Sequence, residues 1–340
     1  GDFCVRGSAM WGSKPPPEPS PPFIWLPLGD WWSSVEQNHK GQRWIDMTRE
    51  HAEVPIFAVA IYLGVVFYLP GWLQGTKPLR LKGLFAGWNL LLAVFSLLGS
   101  LRTMPVLIHF IRRKGFHFTV CTDPQDWYLD GPVGLWVGLF IFSKIPELLD
   151  TAFLVLQQKR VIFLHWFHHC TVMLYCWHAY HNRVAPGLWF AAMNFVVHSV
   201  MYTYYFAMAA KMSYVATPIA PFITTVQILQ MGVGSFVTFS FAKAHSLGGD
   251  QACFVDAANY KLGLAMYGSY LILFVGLFSK KYFGKKLVGS DGLLVRKDQI
   301  CGVEVKTLDT TGRFQDFNRN KSENNSPMDT AAAFRPKKQQ

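Results

Sequence analysis

Seven apolar stretches, near residues 54–74, 83–101, 131–157, 161–181, 186–209, 217–241 and 257–279, are each long enough to cross a bilayer. A crossing takes roughly 20 helical residues. Inside hydrocarbon every backbone amide and carbonyl must be satisfied within the protein, so such runs have little choice but the helix. The expected fold class is therefore all-α, a polytopic membrane protein folded as a seven-transmembrane-helix bundle. Three regions are expected: a leader and lumenal N-terminal segment at 1–50, a membrane domain at 51–286, and a polar tail at 287–340 without regular structure. Residues 1–22 carry Pro15-Pro16-Pro17 and Pro21-Pro22 and lack the apolar core of a signal peptide.

Charge gives the orientation. Only 16% of the residues are charged, against about a quarter in soluble domains. The 32 Lys and Arg outnumber the 21 Asp and Glu, but the surplus lies in short loops and at the C-terminus, as membrane-flanking cations do. The partner of these cations is membrane lipid; no nucleic acid is expected. An odd number of spans puts the termini on opposite sides, and Lys280, Lys281, Lys285 and Lys286 after the last run favour a cytosolic C-terminus. Arg112, Arg113 and Lys114 run against that assignment. The terminal Lys337-Lys338-Gln339-Gln340 resembles the dilysine retrieval signal of endoplasmic reticulum membrane proteins, which acts from the cytosol. The sequons at Asn320 and Asn324 then stay unmodified. The six cysteines show no CxxC and no metal-ligand spacing. With this topology Cys121 and Cys253 share the lumenal side, which permits a disulfide between them; two free thiols are the alternative.

Several apolar runs carry polar groups that lipid would not tolerate. The third holds Lys144, Glu147, Asp150 and Thr151 within about a 120° arc of one helix face. Each such charge costs about 2.5–3.5 kcal/mol at mid-membrane, so the group needs compensation. Pro146 frees the carbonyl of Phe142 and predicts a kink. A structural ion pair holding helices together is the plainer account of the charges. The fourth run places His165, His168 and His169 on one face, which packing alone does not explain. The fifth aligns Asn194, His198, Met201, Tyr202 and Tyr205, and the sixth adds Thr224, Gln227 and Gln230 at spacings of three. Counted inward from the proposed cytosolic ends, these residues form one layer roughly 6–20 Å deep. A single polar chamber open to the cytosol accounts for that coincidence.

Four elements, in order on consecutive spans, resemble the fatty acid elongase family over about residues 50–286. They are Lys144-Ile-Pro-Glu147-Leu-Leu-Asp150-Thr151, His165-Trp-Phe-His168-His169, His198-Ser-Val-Met201-Tyr202-Thr-Tyr204-Tyr205 and Thr224-Thr-Val-Gln227-Ile-Leu-Gln230. The wording around the boxes, Lys144-Ile-Pro-Glu147-Leu148 and Thr171-Val-Met-Leu-Tyr175, is similar to the branch that extends saturated and monounsaturated chains.

The resemblance implies a decarboxylative condensation of acyl-CoA with malonyl-CoA to 3-oxoacyl-CoA, carbon dioxide and CoA. It implies no bound cofactor and no metal, a narrow acyl-chain tunnel, and reductase and dehydratase enzymes as pathway partners. Self-association is left open. Decarboxylation supplies the carbanion, so the site needs an activated acyl carbonyl and oxyanion stabilisation. His168 or His169 is the expected nucleophile, with His165 in the same box. His198 and Asn194 stabilise the enolate or oxyanion, and Glu147 or Asp150 orients an imidazole or pairs with Lys144. Tyr202, Tyr205, Gln227 and Gln230 line the substrates. Direct attack without a covalent intermediate is the alternative. Cys176, on the histidine face, is a weaker nucleophile candidate, and Cys170 points elsewhere. The rivals are a membrane di-iron desaturase or hydroxylase, whose ligands are histidine boxes, and a seven-span receptor or transporter.

Overall fold

The computed structural model describes residues 29–248, 253 and 257–283, together with the backbone of four two-residue strands between 287 and 304. Helices make up the body. The short helices α1 (Asp30–Gln37) and α2 (Gly41–Glu50) come first, then α3 (Val54–Phe67) with its continuation α4 (Leu69–Trp72). The long α5 (Lys82–Lys114) is followed by α6 (Phe116–Cys121). Next come α7 (Gly131–Ser143) and α8 (Leu149–Leu156), α9 (Phe163–His181) and α10 (Gly187–Ala209). A single turn, α11 (Ser213–Ala216), leads into α12 (Ala220–Leu247), and α13 (Ala257–Tyr282) ends the bundle.

Four segments are long and apolar enough to cross a membrane: Val54–Trp72, Lys82–Lys114, Thr217–Leu247 and Ala257–Lys281. The chain is thus an integral membrane protein. The remaining long helices, α9 and α10, and the broken α7–α8 coincide with the other three apolar runs; they carry the charges, histidines and tyrosines that dilute an apolar average. Buried aromatic and aliphatic side chains from α5, α7, α9 and α10, among them Leu107, Trp136, Trp177, Leu188 and Phe195, form the main core. Gly99 lets two of these helices touch, because a Cβ there would lie 2.5 Å from the Phe195 ring.

Two of the expected runs differ in the structure. The second run, read as 83–101, continues to Lys114, and Gly115 at φ 86° ends it. Arg102 looked like the end of the span, but it is 3% exposed and forms a bidentate ion pair with Glu36 of α1, at 2.9 and 2.7 Å. The indole of Trp136 donates to the same carboxylate at 2.7 Å. With its charge answered there, the helix passes through. The third run is not one helix: a single 3-10 turn, Pro146–Leu148, separates α7 from α8. The Phe142 carbonyl that Pro146 cannot serve accepts instead from the Ile145 amide at 3.2 Å.

Beyond the bundle, Leu287–Val288 pairs antiparallel with Leu294–Val295, and Gln299–Ile300 with Val303–Glu304. The start of the tail therefore holds two short ribbons where no regular structure was expected. The rest of the tail, with Lys337 and Lys338, and residues 1–28 lie outside the described residues. Within the region assigned to a leader, α1 and α2 are ordered and pack against α7 and α9, burying Glu36, Ile45 and Thr48. On this side of the molecule Cys121 of α6 is joined by a disulfide to Cys253, between α12 and α13.

Candidate active site

The break at Pro146 turns the charged residues of the third run in two directions. Lys144 and Glu147, each 3% exposed, pair with one another at 2.7 and 3.0 Å. Ser143 Oγ donates to the same Glu147 oxygen at 2.7 Å, and the Lys144 ammonium lies 4.1 Å from the centre of the Phe140 ring. Lys144 also donates to Asn194 Oδ1 of α10 at 3.4 Å, while Asn194 Nδ2 donates to His198 Nε2 at 3.0 Å. The ammonium has only protons to give, so it fixes which way the Asn194 amide faces. His198 Nε2 is then the unprotonated nitrogen, and the ring carries its proton on Nδ1.

Asp150 takes no part in this chain. It accepts from the Trp88 indole at 2.6 Å and from the Tyr202 hydroxyl at 2.8 Å. Of the two carboxylates proposed to pair with Lys144, the structure brings Glu147 to it. Thr151 Oγ1 contacts His165 Nε2 at 2.8 Å and the Tyr62 hydroxyl, also at 2.8 Å. His165 and His169 stand with ring centres 4.6 Å apart. Gln227 Nε2 donates to Met201 Sδ at 3.3 Å, linking α12 to α10.

Two cavities meet at these residues. A polar chamber of about 150 Å³ is lined by the three box histidines, Asp150, Asn194 and His198. Tyr202, Tyr205, Thr224, Gln227 and Gln230 line it too, beside apolar side chains such as Phe85, Leu154, Val197 and Ile223, and Lys281 of α13 also contributes. A narrower slot of about 60 Å³ continues along α9 past Val172, Tyr175, Cys176 and Tyr180 to Arg183. From His168 to Arg183 that path measures about 22 Å at the helical rise. Ile45 of α2 and Leu129 are also among its walls. Only His168, Asn194, Gln230 and Met231 line both spaces. His169 belongs to the chamber alone.

Cys176 is a wall of the slot, two turns from His168, and Cys170 is buried beside Tyr62 and Val66. Among the described residues, the one group spaced to hold a metal ion is His117, Cys121 and Cys253, whose two sulfurs are joined to each other. Trp88, Tyr62 and Tyr270 were not foreseen. Tyr270 donates to the His168 carbonyl at 3.2 Å, and its ring lies tilted against the imidazole with centres 5.0 Å apart. All three come from helices with no polar pattern of their own, and a lone aromatic in an apolar run reads as packing.

Fold and site together define an integral membrane protein that buries a histidine cluster where a polar chamber opens onto an apolar slot. Comparison with known proteins narrows the class. The ELO family, GNS1/SUR4, matches residues 47–288, and the chain belongs to it. It is 42% identical over 258 residues to "Very long chain fatty acid elongase 4" of Trypanosoma cruzi, covering 76% of this chain and 90% of that protein. It is 40% identical over 283 residues to "Fatty acid elongase 3" of Trypanosoma brucei brucei, covering 76% and 93%. "Very long chain fatty acid elongase 6" of Drosophila melanogaster is 40% identical over 227 residues, covering 65% and 70%.

Proposed function

We propose that the boundary between chamber and slot is where an acyl-CoA and malonyl-CoA are condensed, the acyl chain lying in the slot and the two CoA thioesters entering through the chamber. The chain is a fatty acid elongase of the 3-oxoacyl-CoA synthase type, and membership of the ELO family with its elongase relatives carries that activity. The observation that supports the placement is the sharing of His168 and Asn194 by both cavities. A thioester whose tail fills the slot has its carbonyl at that boundary.

His168 is the nucleophile in this scheme rather than His169, which the slot does not reach. Its neutral imidazole attacks the acyl carbonyl; the carbon–sulfur bond breaks, and CoA leaves with the proton that the ring gives up. Loss of carbon dioxide from malonyl-CoA leaves an electron pair on its α-carbon. That carbon attacks the acyl-imidazole, the carbon–nitrogen bond breaks, the freed ring nitrogen takes a proton from solvent to restore neutral His168, and the 3-oxoacyl-CoA departs. The Nδ1–H of His198 is the donor available to the developing oxyanion. No cofactor enters, and the 3-oxo group of the product calls for reductase and dehydratase partners. The similarity to the branch for saturated and monounsaturated chains supports those as substrates.

A seven-span topology belongs to the same proposal, with the chamber and C-terminus in the cytosol and the disulfide in the lumen of the endoplasmic reticulum. It is supported by α7–α8, α9 and α10 packing directly among the apolar helices. The test is an assay of membrane fractions with labelled malonyl-CoA and a panel of acyl-CoAs. Malonyl-dependent two-carbon extension is expected from the wild type and lost in His168→Ala and His198→Ala. Intact mass after incubation with acyl-CoA alone should show an acyl adduct that His168→Ala lacks; no adduct in the wild type would overturn the covalent step.

A further inference from the structure

Arg112 and Arg113 are the cations that the charge asymmetry of the other loops leaves unexplained, and the structure gives them a setting. At 33 residues α5 is about 50 Å long, against 40–45 Å for a whole bilayer with its headgroups. Its last turn is basic, with Arg112, Arg113 and Lys114. Leu101, Met104, Pro105, Ile108 and His109 follow one another at spacings of one, three and four, forming a single face of this helix. With Val196 of α10 across from them, they line a surface groove that ends on Arg112 and Arg113. The buried side chains Arg102, Thr103, Val106 and Leu107 occupy the other face. Neither Arg112 nor Arg113 enters an ion pair among the described residues.

We propose that this groove is a binding site for an anionic glycerophospholipid, with one acyl chain along Leu101–Ile108 and Val196 and the headgroup phosphate on Arg112 and Arg113. Along the helix the groove is apolar from Leu101 to Ile108 and doubly cationic at Arg112 and Arg113, which is the charge order of one lipid molecule. Guanidinium suits the phosphate end because its planar fork donates two parallel hydrogen bonds to phosphate oxygens. The site is separate from the chamber and the slot, and it shares no lining residue with either.

The experiment is native mass spectrometry of the full chain in detergent, titrated with equal amounts of phosphatidylglycerol and phosphatidylcholine. Phosphatidylglycerol should be retained preferentially, and Arg112→Gln/Arg113→Gln should lower that preference by about a factor of five for each cation lost. Val196→Trp, which fills the groove without touching charge, should abolish retention of the tightest-bound lipid. Equal retention of the two lipids by the wild type overturns the proposal. So does a preference that survives the double substitution, or one insensitive to Val196→Trp, which would mean surface charge without a built groove. Displacement by millimolar inorganic phosphate would likewise exclude a lipid. Elongase activity of each variant on short acyl-CoA confirms that the bundle is folded.

Discussion

One lysine organises much of the site. Lys144 neutralises Glu147 and, through Asn194 Oδ1, sets the tautomer of His198, so its charge acts two residues away from where it sits. Removing one partner of a buried pair strands the other charge, at about 3–5 kcal/mol, whereas removing both is far less damaging. Lys144→Met should thus lower the unfolding temperature in detergent sharply, and Lys144→Met/Glu147→Gln should recover most of the loss. Activity should not return in the double variant, because nothing then holds the Asn194 amide and the His198 proton in place. Parallel recovery of stability and turnover would reduce Lys144 to a structural ion. The sequence marked Lys144, Glu147, Asn194 and His198 as intramembrane polar residues at helical spacing. It did not mark Asp150 as separate from them, since a continuous helix puts all three charges on one face and only the turn at Pro146 parts them.

At the scale of elements, what sequence left illegible was what partners supply from a distance. Arg102 lies just past the expected end of the second span, and its counterion, Glu36, lies 66 residues earlier in the segment read as lumenal and N-terminal to the membrane domain. The same segment supplies α2, which is fastened to the start of α7: Asp130 accepts from the Gly41 amide and from Lys40, each at 3.0 Å. Burial works to raise the Asp130 pKa, but the hydrogen bonds from Lys40 and Gly41 and the Lys40 charge outweigh it and hold the carboxyl below its ordinary range. A depressed carboxylate pKa contributes stability that is complete above the unfolded value, near 3.9, and is lost as pH falls through the folded one. The protection factors of the α2 amides should accordingly be high and flat above about pH 5 and fall on acidification below about pH 4. Asp130→Asn should exchange quickly throughout. Equal protection in the variant at neutral pH would show that α2 is held by its apolar face alone.

Across the whole molecule the two cavities adjoin, and α2, a helix outside the apolar runs, contributes to the wall of the second. The slot passes between α9 and its neighbours, and Ile45, which is fully buried, and Leu129 line it. A close-packed interior admits an extra methylene only by displacing something, at about 1–3 kcal/mol. In the proposed placement Ile45 and Leu129 form the floor that sets the longest acyl chain still leaving its thioester carbonyl at His168. Ile45→Ala deepens the slot and should shift the product distribution toward longer chains, while Ile45→Phe should shorten it. Both should leave turnover of the shortest accepted acyl-CoA near the wild-type value, because a short chain never reaches the floor. Ile45→Ala also removes buried methylenes, at roughly 2–5 kcal/mol if the space stays empty. A long acyl chain that fills the space offsets that loss, so long-chain acyl-CoA should raise the unfolding temperature of Ile45→Ala more than that of the wild type. Product lengths unchanged in both variants would place the end of the acyl chain short of α2 and move the measure of chain length back toward Tyr175 and Cys176.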